Sequence, residues 1–205
     1  MIEMAIKDFL FLWATIDPVS TVFIFAALTA KMTAQARNTI ALKATIYAGV
    51  VLFGSIVIGQ LVLSGMGIRM ISFQVAGGIV LFLFALQMIF SDFSETNTKG
   101  EGNHDIAVFP LAIPAIATPG AIMAAIILTD NKVYSMPEQF LTGGILLFVL
   151  VMTYVMMLGA ERILRVIGNN GASIIVKVMG MLLVALSIEL IFEAIGIERW
   201  LTPYP

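Results

Sequence analysis

The sequence predicts an all-α polytopic membrane protein. Six transmembrane helices form two inverted three-helix repeats, with the first and fourth helices broken. Three observations lead there: an apolar composition, six spaced apolar windows, and one proline break written twice.

Of 205 residues, 60% are hydrophobic and 12% charged, and the mean hydropathy is +1.03. A soluble domain of this size carries roughly a quarter charged residues, so the chain belongs in a bilayer. The start, MIEMAIKDFLFLW, has an early acidic residue and no small-residue cleavage site. It reads as the beginning of a span and not as a removable signal. With no cysteine and one histidine, His104 in a polar stretch, thiolate or histidine metal centres are not expected. A net charge of −2 points to no nucleic-acid partner.

Windows of about 20 apolar residues place spans at 8–30, 40–63, 72–91, 106–129, 139–160 and 173–196. Between them lie polar joints at 31–39, 64–69, 91–105, 130–138 and 161–171. The joint at 91–105, SDFSETNTKGEGNHD, is the most polar and reads as a connector between halves. The expected organisation is therefore repeat one at 1–91, a linker at 92–105 and repeat two at 106–205. Lys31, Arg37, Lys43, Lys99, Arg162, Arg165 and Lys177 gather at joints one, three and five. Only Lys7, Arg69, Lys132 and Arg199 lie on the other side. That bias puts these joints in the cytoplasm and both termini outside. Trp200 and Tyr204 fit an interfacial anchor.

The break reads Asp17-Pro18 in FLFLWATIDPVSTVFIFAAL and Thr118-Pro119-Gly120 in VFPLAIPAIATPGAIMAAIIL. Proline lacks a backbone donor and clashes with the preceding turn, so a helix stops before it. Asp and Thr are helix N-cap residues, and proline suits the first helical position after a cap. Each break therefore ends one helix and starts another. Lipid cannot satisfy freed backbone groups, so such breaks must be buried in protein or line a wet cavity.

The two breaks are 101 residues apart. At an offset of 102, GIVLFLFALQMIF (78–90) falls on GMLLVALSIELIF (180–192), pairing Gly78 with Gly180 and Gln87 with Glu189. QVAG and KVMG align better at 103, so the register carries a one-residue ambiguity. Three spans per half make the second half run upside down relative to the first. Inverted repeats with paired broken helices are a transporter architecture, with the substrate expected at the breaks near the midplane.

Helix starts at Asp17 and Thr118 offer unpaired N–H groups to a carboxylate. The preceding carbonyls, around 14–16 and 115–117, would accept from an ammonium group. A small zwitterion matches both. The candidate substrate-binding residues are Asp17, Pro18, Ser20, Thr21, Thr118, Pro119, Gly120 and Ala121. Asp17 is the one carboxylate near the middle of an apolar span, where a charge costs about 3 kcal/mol on insertion scales. It is either a cap alone or a cap that also meets ligand or proton. Glu189 and Gln87 read as buried-looking polar residues and join Asp17 as candidates for coupling. Snorkelling or an ion pair is equally open for Glu189, about seven residues from its helix end. The 13 methionines are packing material, and Gly77-Gly78 and Gly143-Gly144 allow close helix contact.

The stretches FPLAIPAIATPGAI (109–122), DPVSTVFIF (17–25) and QVAGGIVLFLFALQM (74–88) resemble the MarC-related family of bacterial and archaeal membrane proteins. The resemblance covers almost the whole chain and implies six spans. Members include small neutral amino acid transporters. Asp17 fits the family's Asn or Asp before the first proline. The chain departs where the family has glycine at the positions of Ser20 and Thr118 and arginine at those of Gln74 and Lys177.

The expectation is thus a cation-coupled secondary transporter of glycine- or alanine-like neutral amino acids. It would sit in the cytoplasmic (inner) membrane, use H⁺ or Na⁺, need no cofactor, and form a homo-oligomer if it assembles at all. A channel for a small neutral solute is the alternative, since paired half-helices also build pores. An intramembrane enzyme is disfavoured because the spans hold no His, Cys or paired-carboxylate motif. ATP hydrolysis is disfavoured because there is no Walker A sequence.

Overall fold

The computed structural model describes residues 2–90 and 105–197, and these contain helices and no strand. In chain order the helices are α1 (Ile2–Ile16), α2 (Pro18–Thr29), α3 (Ala34–Gly65) and α4 (Met70–Phe90). An irregular wound segment, Ala107–Ile116, leads to α5 (Pro119–Ile127), α6 (Met136–Leu158) and α7 (Ala160–Ile195). Five stretches are long and apolar enough to cross a membrane, α1 and α2 together forming one of 28 residues. A sixth arises if Ala107–Ile116 and α5 count as one bent span. The linker reading falls outside the described residues apart from Asp105, as do Trp200 and Tyr204.

Helix ends follow local chemistry. Thr33 caps α3 by accepting the N–H of Ala36 at 3.3 Å, so α3 begins six residues before the apolar window does. Ser135 and Glu138 form a reciprocal capping box on α6, with Pro137 in its first turn. The expected fifth joint is helical: α7 starts at Ala160 and continues to Ile195 through one non-helical residue, Gly168 (φ 70, ψ 168). Apolar windows detect only the stretch that lipid must accept. Polar helical turns beyond it bond internally and leave no hydropathy signal.

A core of small residues lets the central segments approach closely. Ala41, Ala44 and Ala48 of α3 face Ala107, Leu111 and Ala112, all fully buried. α4 and α7 form the most extensive helix pair. A Cβ on Gly78 would stand 3.1 Å from Ser187 O and 2.7 Å from Ile191 Cγ1, while one on Gly180 would stand 3.1 Å from Ala85 O and 2.8 Å from Ile89 Cγ1. Both glycines are therefore contact points at which the helices cross. At the two bundle ends lie cavities of about 370 Å³ and 490 Å³. The first is lined by the end of α2 and the start of α7, including Thr29, Arg37, Glu161 and Arg165. The second is lined by the start of α1 and the end of α7, including Asp8, Tyr134 and Glu193.

Candidate functional site

Asp17 separates α1 from α2 with φ 49 and ψ 68, the left-handed region that Asp tolerates better than most residues. Its N–H still donates to Trp13 O at 3.0 Å, so α1 keeps its last turn. One carboxylate oxygen, Oδ1, accepts the N–H of Ser20 at 3.2 Å. The other, Oδ2, is buried with no hydrogen-bond partner, and so is Ser20 Oγ. Asp17 is 2% and Ser20 7% exposed, so water does not make up the shortfall from the surface.

Thr118 takes the extended conformation (φ −63, ψ 156), and its Oγ1 accepts the N–H of Ala121 at 2.9 Å. The segment before it departs from an α-helix. Phe109 and Ile113 are extended (φ −132 in both), each placed before a proline that disfavours the helical region. Ala117 N–H reaches back five residues to Ala112 O, at 2.9 Å, widening the last turn. The result is a 56° bend between Ala107–Ile116 and α5.

The two regions touch. Thr118 Oγ1 donates to Thr15 O at 2.7 Å, and Thr21 Oγ1 lies 3.0 Å from Ala115 O and 3.0 Å from Asp17 O. Each break thus lends a threonine to the carbonyl end that precedes the other. Two of the carbonyls expected to face a ligand ammonium, Thr15 O and Ala115 O, are engaged in this way.

Asp17, Pro18, Ser20, Thr21, Thr118, Gly120 and Ala121 are all buried in this meeting zone, whereas Pro119 is exposed. Gly120 has a packing reason: a Cβ there would stand 2.5 Å from Leu81 Cδ1 of α4. The expected close approach at Gly120 is therefore made by a leucine side chain. Neither end cavity is lined by residues of the breaks; they approach from opposite ends of the bundle and stop short.

Gln87 and Glu189 are not buried and do not join the site. Both are exposed on the outer surface, two residues on from Ala85 and Ser187, which are fully buried. Two residues turn a helix by about 200°, so a buried neighbour puts them on the opposite face. Sequence reading misjudged them because both faces of these helices are apolar, which hides the direction of the core.

Two buried carboxylates did not stand out in the sequence, Asp130 in the joint at 130–138, 6% exposed, and Asp8. Asp8 of α1 is 2% exposed and accepts from Thr142 Oγ1 of α6 at 2.6 Å, at the wall of the second cavity. Its signal was an acidic residue at the very start of an apolar run. In the loop beside it, burial pushes the Tyr134 hydroxyl up, helped by the charges of Asp8, Glu193, Glu138 and Asp130. At the other end, Arg37 donates to Glu161 at 2.7 Å and holds its carboxyl below the usual glutamate range. No cluster of three or more metal-ligating His, Cys, Asp or Glu side chains occurs among the described residues.

Comparison with known proteins gives one answer. Residues 2–200 match the family described as MarC family integral membrane protein. A UPF0056 membrane protein of Buchnera aphidicola subsp. Schizaphis graminum is 34% identical over 196 residues, covering 94% of this chain and 91% of the relative. The UPF0056 membrane protein YhcE of Escherichia coli is 33% identical, covering 92% and 90%. MJ1677 of Methanocaldococcus jannaschii, also a UPF0056 membrane protein, is 30% identical, covering 90% and 92%. No solved structure matches. With a helical bundle of five to six candidate spans and a family match over nearly its whole length, the chain belongs to the MarC family of integral membrane proteins.

Proposed function

We propose that this protein is a secondary transporter of small neutral amino acids, driven by a proton or sodium gradient across the cytoplasmic membrane. The observation that carries the reading is the meeting of two interrupted segments in the core through Thr118–Thr15 and Thr21–Ala115. Each interruption starts a new helix, and a helix start presents free N–H groups to an anionic group. Discontinuous helices meeting at mid-bundle are where transporters of inverted-repeat design hold substrate.

Inverted symmetry has support in the α4–α7 crossing. Gly78 meets Ser187 and Ile191, while Gly180 meets Ala85 and Ile89. Adding 102 to 78, 85 and 89 gives 180, 187 and 191, so the contacts are reciprocal under one offset. Reciprocal contact is what a two-fold axis generates, and it favours 102 over 103. Two cavities entering from opposite ends suit alternating access, with the buried breaks between them as the occluded stage.

The reading needs no cofactor, no nucleic acid and no hydrolytic chemistry, and it leaves room for assembly into a homo-oligomer. Both termini would face away from the cytoplasm. A cysteine introduced at Thr202, in a chain with no native cysteine, should react with an impermeant reagent on intact cells. Reaction only after lysis would invert the topology.

Uptake of labelled glycine and alanine into proteoliposomes, under imposed proton and sodium gradients, tests the function. Saturable, gradient-dependent uptake with counterflow is expected. Non-saturating flux without counterflow would indicate a channel instead, and no flux of either amino acid would remove the proposal.

A further inference from the structure

We propose that the two breaks divide the recognition of a zwitterion: Asp17 Oδ2 and Ser20 Oγ take the ammonium group, and the start of α5 takes the carboxylate. This rests on the transport reading above and makes it specific.

Two of the carbonyls that precede the breaks, the first place to seat an ammonium group, already have a hydroxyl within bonding distance. Thr15 O accepts from Thr118, and Ala115 O lies within bonding distance of Thr21. Two buried side-chain atoms on one turn of α2 have no hydrogen-bond partner, a carboxylate oxygen and a hydroxyl, Asp17 Oδ2 and Ser20 Oγ. Both residues are more than nine-tenths buried, and buried polar groups are ordinarily paired. A carboxylate oxygen beside a hydroxyl is complementary to a group with several N–H donors and a positive charge.

The carboxylate half follows from sign. At the start of α2, the Asp17 side chain offsets the positive end of the helix and repels a second anion. The start of α5 carries neutral Thr118 instead. Thr118 Oγ1 takes the N–H of Ala121, and Pro119 has none. That leaves the N–H of Gly120 as the free donor of the first turn, on a nine-residue helix whose positive end no acidic side chain cancels. Stretches 8–30 and 106–129 contain no lysine or arginine. No side-chain cation of these stretches therefore competes for Asp17 or repels the substrate ammonium.

The assignment defines the substrate class. Both an unsubstituted ammonium and a carboxylate are required, so a hydroxy acid or an amino acid amide should be a poor ligand. The alanines around the breaks, Ala112, Ala117 and Ala121, are fully or nearly fully buried, which favours a short side chain.

The test is competition against labelled glycine uptake in proteoliposomes, using unlabelled glycine, glycolate and glycinamide, for the parent and for D17N and S20A. Asn keeps a capping oxygen and also tolerates the left-handed conformation, so D17N should melt close to the parent. Loss of a charge-assisted bond predicts that glycine competes about 10–150-fold less well in D17N. Glycolate, which lacks the ammonium, should compete equally in D17N and the parent. S20A should show a smaller shift of the same kind, and it supplies the test should D17N not fold. Unchanged glycine affinity in both variants overturns the assignment. So does normal glycine affinity in D17N with loss of proton or sodium dependence, which would make Asp17 the seat of the coupling cation. If the parent itself moves neither glycine nor alanine, the transport reading fails first, and the subsite falls with it.

Discussion

The two breaks use the same local grammar, cap residue then proline, and arrive at different structures. At the first, Asp17 turns left-handed while its N–H stays bonded to Trp13 O, so α1 and α2 continue as one span. At the second, Thr118 is extended and the chain turns by 56°. Thr118 satisfies its hydroxyl completely, giving to Thr15 O and receiving from Ala121. Asp17 leaves one oxygen unpaired. The difference lies upstream of the caps. Pro110 and Pro114 have already unwound the approach to Thr118, whereas α1 reaches Asp17 as an intact helix. A break is made by its whole approach and not by its cap dipeptide.

The largest effect should come from crowding the second break. Gly120→Val puts a branched side chain where Leu81 already stands, 2.5 Å from the nearest Cβ position. Overpacking of this kind costs about 1–3 kcal/mol. Thermal melting in detergent should show a clear loss, and Leu81→Ala in the same chain should recover part of it. Absence of recovery would mean that Gly120 is required for its backbone and not for Leu81.

Next comes the cross-brace. Thr118→Val removes both the cap of α5 and the bond to Thr15 O, for about 1–3 kcal/mol. Thr21→Val removes a single bond to a carbonyl, for about 1 kcal/mol. Equal melting losses in the two variants would contradict the asymmetry of the breaks.

Proline removal separates the two regions by exchange instead of by stability. Pro18→Ala restores a donor in an otherwise continuous span, so amide protection near residue 18 should rise. Pro119→Ala should change protection little, because Thr118 stays extended and the approach stays unwound by two further prolines. Healing at 119 and not at 18 would reverse the comparison.

The smallest effect belongs to the Arg37–Glu161 pair at the bundle end, which is solvent-accessible and so contributes little. The pair depresses the Glu161 carboxyl. Its contribution is therefore fully present above the ordinary glutamate value of about 4.3 and fades as pH falls through the lower folded value. Glu161→Gln should leave melting at neutral pH nearly unchanged and remove only that acid-side slope. A large loss at neutral pH would mean that the pair latches the end of the bundle.

Legibility followed the strength of local constraint. Pro18 and Pro119 announced new helices because a missing N–H has no remedy within a single turn. Pro110 and Pro114 carried the same information about Ala107–Ile116, and it was obscured by their setting in an apolar run long enough to be a helix. Thr33 marked the true start of α3, although the hydropathy window began later. Direction was the property least visible. Gln87 and Glu189 read as interior and lie outside, while Asp8 read as the edge of a span and is buried against Thr142.

By itself the sequence determined the membrane class, five of the apolar spans and the positions at which helices restart. These depend on hydrophobic length and on backbone donors, both properties of consecutive residues. Only the tertiary structure decided that the restarts touch, that their threonines satisfy each other's carbonyls, and that Asp17 Oδ2 is left over. Those outcomes depend on which surfaces meet, and in a chain apolar on every helix face the pattern of residues does not say which face turns inward.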